Sequence, residues 1–124
     1  MRRVIGLGGV FFKARDPEKL YAWYEKHLGI KRDDPHSAIF HNKGDEDGLI
    51  VWSIFPADTK YFEPSQSSLM INYRVENLDA LLDALTAEGV QVDPKREEYD
   101  YGKFGWIMDP EGNRVELWEP KGGF

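Results

Sequence analysis

A chain of 124 residues, 41% hydrophobic and 14% aromatic with four tryptophans, has the material for one compact, ordered domain and no room for a second large one. With 22 acidic against 16 basic residues the net charge is -6, and the Lys and Arg form no run, which argues against nucleic acid as a partner. The absence of cysteine excludes disulfides, thiolate nucleophiles, zinc ribbons and iron–sulfur ligation, and leaves a cytoplasmic location as the expectation.

Behind Arg2-Arg3 lies an apolar run, Val4 to Phe12, the outline of a signal peptide. It enters Lys13-Ala14-Arg15-Asp16 without a small-x-small cleavage pattern, so the reading is rejected. No stretch approaches the roughly 18 residues that span a bilayer, and no membrane partner is expected. Asp16-Pro17 then pairs an N-cap residue with proline at the first helical position. Leu20, Trp23, Tyr24, His27 and Leu28 make one stripe that stops at Gly29, so a helix is predicted over 17–28. Ala38–His41 and Leu49–Phe55 read as strands joined by the acidic turn Asn42–Gly48. Residues 56–68, with two prolines and three serines, read as a linker.

The second half repeats the first. An apolar run Leu69–Val75 is followed by the N-cap Asn77 and by Leu78, Leu81, Leu82 and Leu85 on one helical face, closed by Gly89. Val90–Val92 resumes an extended pattern. Phe104–Met108 and Arg114–Glu119 flank Asp109-Pro110-Glu111-Gly112-Asn113, a hairpin turn. The expected fold is therefore α+β: two βαβββ modules, about 1–55 and 69–120, forming curved sheets with the helices outside. Open edges on modules of this size argue for a homodimer.

Three segments in this order carry a resemblance: Asp16-Pro17-Glu18-Lys19 through Trp23-Tyr24-Glu25-Lys26-His27-Leu28-Gly29, then Met70-Ile71-Asn72-Tyr73-Arg74-Val75, then Asp109-Pro110-Glu111-Gly112-Asn113-Arg114-Val115-Glu116-Leu117-Trp118. Together they resemble the vicinal oxygen chelate superfamily of glyoxalases, bleomycin- and fosfomycin-resistance proteins and ring-cleaving dioxygenases. The resemblance implies two βαβββ modules curled around one cavity, with a metal held in many members by four positions on the first and last strands. Carried over, those positions fall on Gly9, Met70, Trp52 and Glu116. Only Glu116 suits a hard or borderline cation, so no metal and no other cofactor is expected.

The histidines do not replace the missing ligands. His27 falls on the helix stripe as a partly buried packing residue, His36 lies in a loop, and His41 ends a strand. Asp45, Glu46 and Asp47 resemble the opening of a calcium loop without its later bidentate Glu, and read as a solvated turn. Gly6-Leu7-Gly8-Gly9 lacks the third glycine and the helix of a dinucleotide fingerprint.

Alternation along the strands assigns faces. With Val10, Phe12, Ile71, Tyr73, Val115 and Leu117 packed on the helices, the cavity side would carry Phe11, Trp52, Met70, Asn72, Arg74, Arg114, Glu116 and Trp118, joined by Trp106 and Met108. This is an apolar, aromatic pocket with few polar groups, the make-up of a small-molecule site. A carboxylate there, Glu116, requires a partner, and Arg74 and Arg114 are available for an ion pair. Left free, Glu116 would act as a general base or complement a cation. The expected function is metal-independent binding of a small aromatic or cationic molecule. The alternatives are a metal-dependent lyase or dioxygenase, a metal-free enzyme using Glu116, and an interaction protein whose cavity its own tryptophans fill. Net charge favours a cationic ligand, while Arg74 and Arg114 argue locally for an anionic one.

Overall fold

The computed structural model describes residues 3–41 and 48–121; the acidic turn residues Asp45, Glu46 and Asp47 lie outside them. The elements follow in the order β1 (Val4–Ala14), α1 (Pro17–Leu28), β2 (Ala38–His41), β3 (Leu49–Pro56), β4 (Leu69–Val75), α2 (Leu78–Ala87), β5 (Gln91–Tyr99), β6 (Gly102–Met108) and β7 (Arg114–Pro120). The capping residues act as their types dictate. Asp16 and Asn77 side chains accept the backbone N–H groups of Lys19 and Ala80, and Gly29, at φ 71°, closes α1 in the left-handed region that a side chain would strain.

All seven strands join one mixed sheet ordered β2-β3-β1-β4-β7-β6-β5. The second half is the expected βαβββ unit, whereas the described residues of the first half give only three strands, βαββ; in each half the first strand runs parallel to the last, β1 beside β3 and β4 beside β7. The units meet where β1 pairs antiparallel with β4. Both helices cover one face. Under α2 the core consists of Leu78, Leu81, Leu82, Val75 and Leu117, with Tyr73, Ile107 and Val115 packed against it. This agrees with the face assigned to Tyr73, Leu117 and Val115 from alternation.

Under α1 the packing is aromatic, and it corrects one expectation. Trp52 lies on the helix side, its ring 5.5 Å from Phe12, 5.8 Å from Tyr21 and 5.0 Å from Tyr24, all edge-on. The register explains this. Val10 pairs with both Ile71 and Trp52, and Ile71 pairs with Val115, so Trp52 is the counterpart of Val115. The counterpart of Glu116 is Ser53, one residue on, and its hydroxyl donates to the His36 carbonyl. The stripe of α1 is also less buried than its periodicity implies. Tyr21 is buried, whereas Trp23 and Leu28 are 50% and 63% exposed, and His27 is exposed with its ring tilted 44° against Trp23 at 4.9 Å.

Two further differences concern length. Residues 56–68 are more than a linker, because Phe62 is fully buried with Phe11 and Met70. The fifth strand reaches Tyr99 although Lys95-Arg96-Glu97-Glu98 carries no apolar signal. It is the terminal strand of the sheet, where charged residues are tolerated, and the register shift between Val92 and Arg96 accommodates Pro94.

Because Trp52 is part of the α1 packing, Trp52→Ala is expected to lower unfolding free energy by about 3 kcal/mol. Urea titration measures that loss.

Candidate functional site

The helix-free face of the sheet is concave, and its central row can be read across six strands: Ile39, Val51, Gly9, Asn72, Glu116 and Trp106 occupy successive paired positions. Beside it runs a second row, Arg74, Trp118, Phe104 and Glu97. Over these rows lies a cavity of about 500 Å³, walled by Phe11, Leu49, Tyr61, Tyr99, Tyr101, Phe104, Trp106 and Trp118, with Asp34, Ser37, Asn72, Glu97 and Glu116 as its polar lining.

Close approach of backbone and side chains at the seam requires glycine. Gly8 is the extra residue of a bulge between the pairs Leu7–Tyr73 and Gly9–Asn72. A Cβ on Gly8 would lie 2.1 Å from Asn72 Oδ1. One on Gly9 would lie 2.9 Å from the Phe11 ring, so the missing side chain leaves no void there; Phe11 covers it.

Glu116 is 2% exposed and accepts three hydrogen bonds. Tyr61 Oη donates to Oε2 at 2.6 Å, Trp106 Nε1 to Oε2 at 3.1 Å, and Asn72 Nδ2 to Oε1 at 2.8 Å. Burial pushes its carboxyl above the ordinary range, and the three donors pull the other way without cancelling that effect. Burial, the Glu116 charge and the hydrogen bond between them raise the Tyr61 phenol in turn, so it stays a donor.

Of the residues expected to line the cavity, Phe11, Asn72, Trp106, Glu116 and Trp118 do so. Met70 is on the correct face but is sealed beneath Phe62, 1% exposed. Met108 and Arg114 line a separate, smaller groove with Pro64, Asp93 and Pro94. Arg114 does not pair with Glu116 through hydrogen bonds. It donates to the carbonyls of Tyr61 and Glu63, reaches Asp93 at 3.6 Å, and lies over Trp106 at 5.0 Å. Arg74, 3% exposed, donates to the Leu49 carbonyl and lies 5.0 Å over the Trp118 ring. The expected Glu116–arginine ion pair is thus replaced by a set of neutral donors.

Sequence reasoning missed Tyr61, Tyr99, Tyr101 and Phe104. Tyr99 and Tyr101 stack at 5.3 Å and meet the Phe104 ring edge-on, and Phe104 stacks on Trp118 at 5.8 Å. The signal was present: Tyr99 and Tyr101, two residues apart, directly precede the hairpin glycine Gly102, and Phe104 precedes Trp106 by one strand period.

The four positions implied for a metal do not fit one. Gly9 is covered by the Phe11 ring, Met70 is beneath Phe62, and the corrected fourth position, Ser53, is turned to a backbone carbonyl. Glu116 has its lone pairs on Tyr61, Trp106 and Asn72. Among the described residues no group of three His, Cys, Asp or Glu side chains converges.

The buried carboxyl has a consequence for stability. Its folded-state value lies above the ordinary 4.5, so its contribution is fully present below that value and is lost as pH rises through the folded-state value. The advantage of wild type over Glu116→Gln should therefore shrink from pH 4 towards pH 8 in urea titrations. Glu116→Ala, which strands three donors and opens a void, should cost about 3 kcal/mol.

The sequence model of the Glyoxalase/Bleomycin resistance protein/Dioxygenase superfamily matches residues 7–117. No curated protein matches the chain. Among solved structures, methylmalonyl-CoA epimerase from Mycobacterium tuberculosis is 21% identical with a TM-score of 0.71, over 98% of this chain and 92% of that one. A Streptomyces coelicolor methylmalonyl-CoA epimerase variant in complex with 2-nitronate-propionyl-CoA is 11% identical with a TM-score of 0.76, over 97% of each chain. A superfamily member from Vibrio splendidus is 11% identical with a TM-score of 0.61, over 91% of this chain and 98% of that one. At these identities the structures share the fold. With a family match across most of its length and two strand–helix–strand units joined into one seven-stranded sheet, the chain belongs to the Glyoxalase/Bleomycin resistance protein/Dioxygenase superfamily.

Proposed function

We propose that this chain binds a small molecule with a flat apolar body in the concave cavity, and does so without a metal ion. One observation carries the reading: the floor of an aromatic-walled cavity of about 500 Å³ holds a carboxyl group on three protein donors where metal-dependent relatives need an open ligand set. The volume suits a drug- or metabolite-sized ligand, and the rings supply stacking area. The binding unit in this reading is a homodimer, since β2 and β5 end the sheet as open edges and β2 exposes Phe40.

A second reading makes Glu116 a general base or acid. It is favoured by the raised carboxyl and by Oε1, which accepts from Asn72 alone, whereas Oε2 accepts from two donors. Turnover of a bound molecule that is lost in Glu116→Gln while binding persists would support it over simple binding.

A thermal-shift screen against aromatic metabolites and drugs tests the main reading. A ligand at a hundred times its Kd should add about 2.7 kcal/mol and raise the melting temperature by roughly 10 °C. Val51→Trp, which puts an indole into the cavity, should abolish the shift while circular dichroism shows the fold retained. Shifts unaffected by Val51→Trp would place binding elsewhere. Elemental analysis of untagged protein showing one bound divalent metal per chain, lost in Glu116→Ala, would overturn the metal-free part. Light scattering at micromolar concentration should report a dimer, and a monomer would remove that claim.

A further inference from the structure

We propose that the cavity selects an organic cation, a protonated amine carried on a flat aromatic body, and discriminates against anions. This rests on the binding reading above and adds the sign of the ligand's charge, which composition and the arginines had left in conflict.

The ionisable lining has one sign. Among the described residues, the cavity wall contains the carboxyl groups of Asp34, Glu97 and Glu116 and no Lys, Arg or His. The two arginines on the same sheet face hold the wall together instead. Arg114 clamps the carbonyls of Tyr61 and Glu63, and Arg74 lies against Trp118 and the Leu49 carbonyl.

The hydrogen-bond polarity agrees. Ser37 donates to Asp34, Tyr99 to Glu97, and Trp118 to the Tyr101 carbonyl. Tyr61, Asn72 and Trp106 all donate to Glu116. An entering carboxylate or phosphate would face three carboxyl groups and six side-chain donors already turned to protein acceptors. A protonated amine brings both the donors and the charge that this lining is short of.

The sheet order fixes where the acids stand. Asp34 comes from the loop before β2, at one end of the sheet, and Glu97 from β5 at the other. Asp34 would be raised by its partial burial, but the Ser37 hydroxyl and the N–H groups of His36 and Ser37 hold it below its ordinary value, so it is charged at neutral pH. At the opposite rim Glu97 stands beside Tyr99 and Tyr101, residues that are 44% and 43% exposed. Exposed aromatic rings next to a carboxylate form a favourable seat for an ammonium group. Lys95 reaches Glu97 at 3.7 Å from a side chain that is 68% exposed. Such a solvated pair contributes little, and a ligand cation would replace it.

Titration followed by tryptophan fluorescence, with Trp106 and Trp118 in the wall as reporters, separates the outcomes. The probes share one ring system: naphthylmethylamine, naphthylmethanol and naphthoate. The amine is expected to bind about tenfold more tightly than the alcohol, the naphthoate more weakly than either. Added salt should narrow the difference between amine and alcohol. Glu97→Gln, a half-buried position on a terminal strand, should weaken the amine several-fold more than it weakens the alcohol, and an equal effect on both would count against the charge assignment. Equal affinities for amine and alcohol, or tighter binding of naphthoate, would overturn the charge assignment while leaving the binding function standing. Failure of all three probes to bind would overturn both.

Discussion

Everything on the concave face depends on the antiparallel contact of β1 with β4. These are the first strands of two modules that each carry too little sheet to enclose anything. Pairing Val10 with Ile71 joins the modules into one seven-stranded surface, so the two inward faces become one wall and the two helices cover one back. The seam also sets the composition of its own surroundings. With a bulge at Gly8 and the Phe11 ring lying over Gly9, a side chain at either residue would have to displace Asn72 or Phe11. The glycines that look like a cofactor motif in the sequence are there because two strands and their inward side chains meet closely.

The same seam brings Asn72 next to Glu116, and this decides how the buried carboxyl is tolerated. An isolated carboxylate at 2% exposure would be costly, and a salt bridge would be the simplest remedy. The chain instead uses a phenol, an indole and an amide, which stabilise the charge by dipoles while leaving burial dominant in the titration. Tyr61 ties this group to residues 56–68, where Phe62 fills the space over Met70 and Arg114 holds two carbonyls. The segment between the modules is thus part of the cavity wall, and its position depends on Glu116, Arg114 and Phe62 together.

Most of the fold was legible because its signals are local. Capping residues, the leucines of α2, and the turn Asp109–Asn113 specify their elements without reference to distant parts of the chain. The face of β3 was not legible for the opposite reason. Leu49-Ile50-Val51-Trp52-Ser53-Ile54-Phe55 is apolar on both sides, as a strand covered on both sides tends to be, so period two has nothing to alternate against and a slip of one residue reverses every assignment. Trp52 was placed in the cavity by that slip. In β4 and β7, where Asn72, Arg74, Arg114 and Glu116 mark one face, the parity was right. Tyr61 and Phe62 escaped notice because their roles are wholly tertiary: nothing within residues 56–68 indicates which distant ring or carboxyl they will meet.

Shared architecture and site chemistry therefore carry different information. The pairing of modules is a property of backbone register, and structures with as little as 11% identity reproduce it. What the cavity does depends on which atoms the register turns inward, and here the paired rows present rings and carboxyl oxygens, with the arginines drawn back into the wall. A carbonyl or phosphoryl substrate needs positive charge or directed donors where its own charge develops. This lining turns its side-chain donors towards its own carboxyl groups and a backbone carbonyl, and presents π-faces and carboxyl oxygens to the cavity. Whether positive charge enters the cavity is decided on this scaffold by where two guanidinium groups are anchored, Arg74 against Trp118 and the Leu49 carbonyl, Arg114 over Trp106 and on the Tyr61 and Glu63 carbonyls.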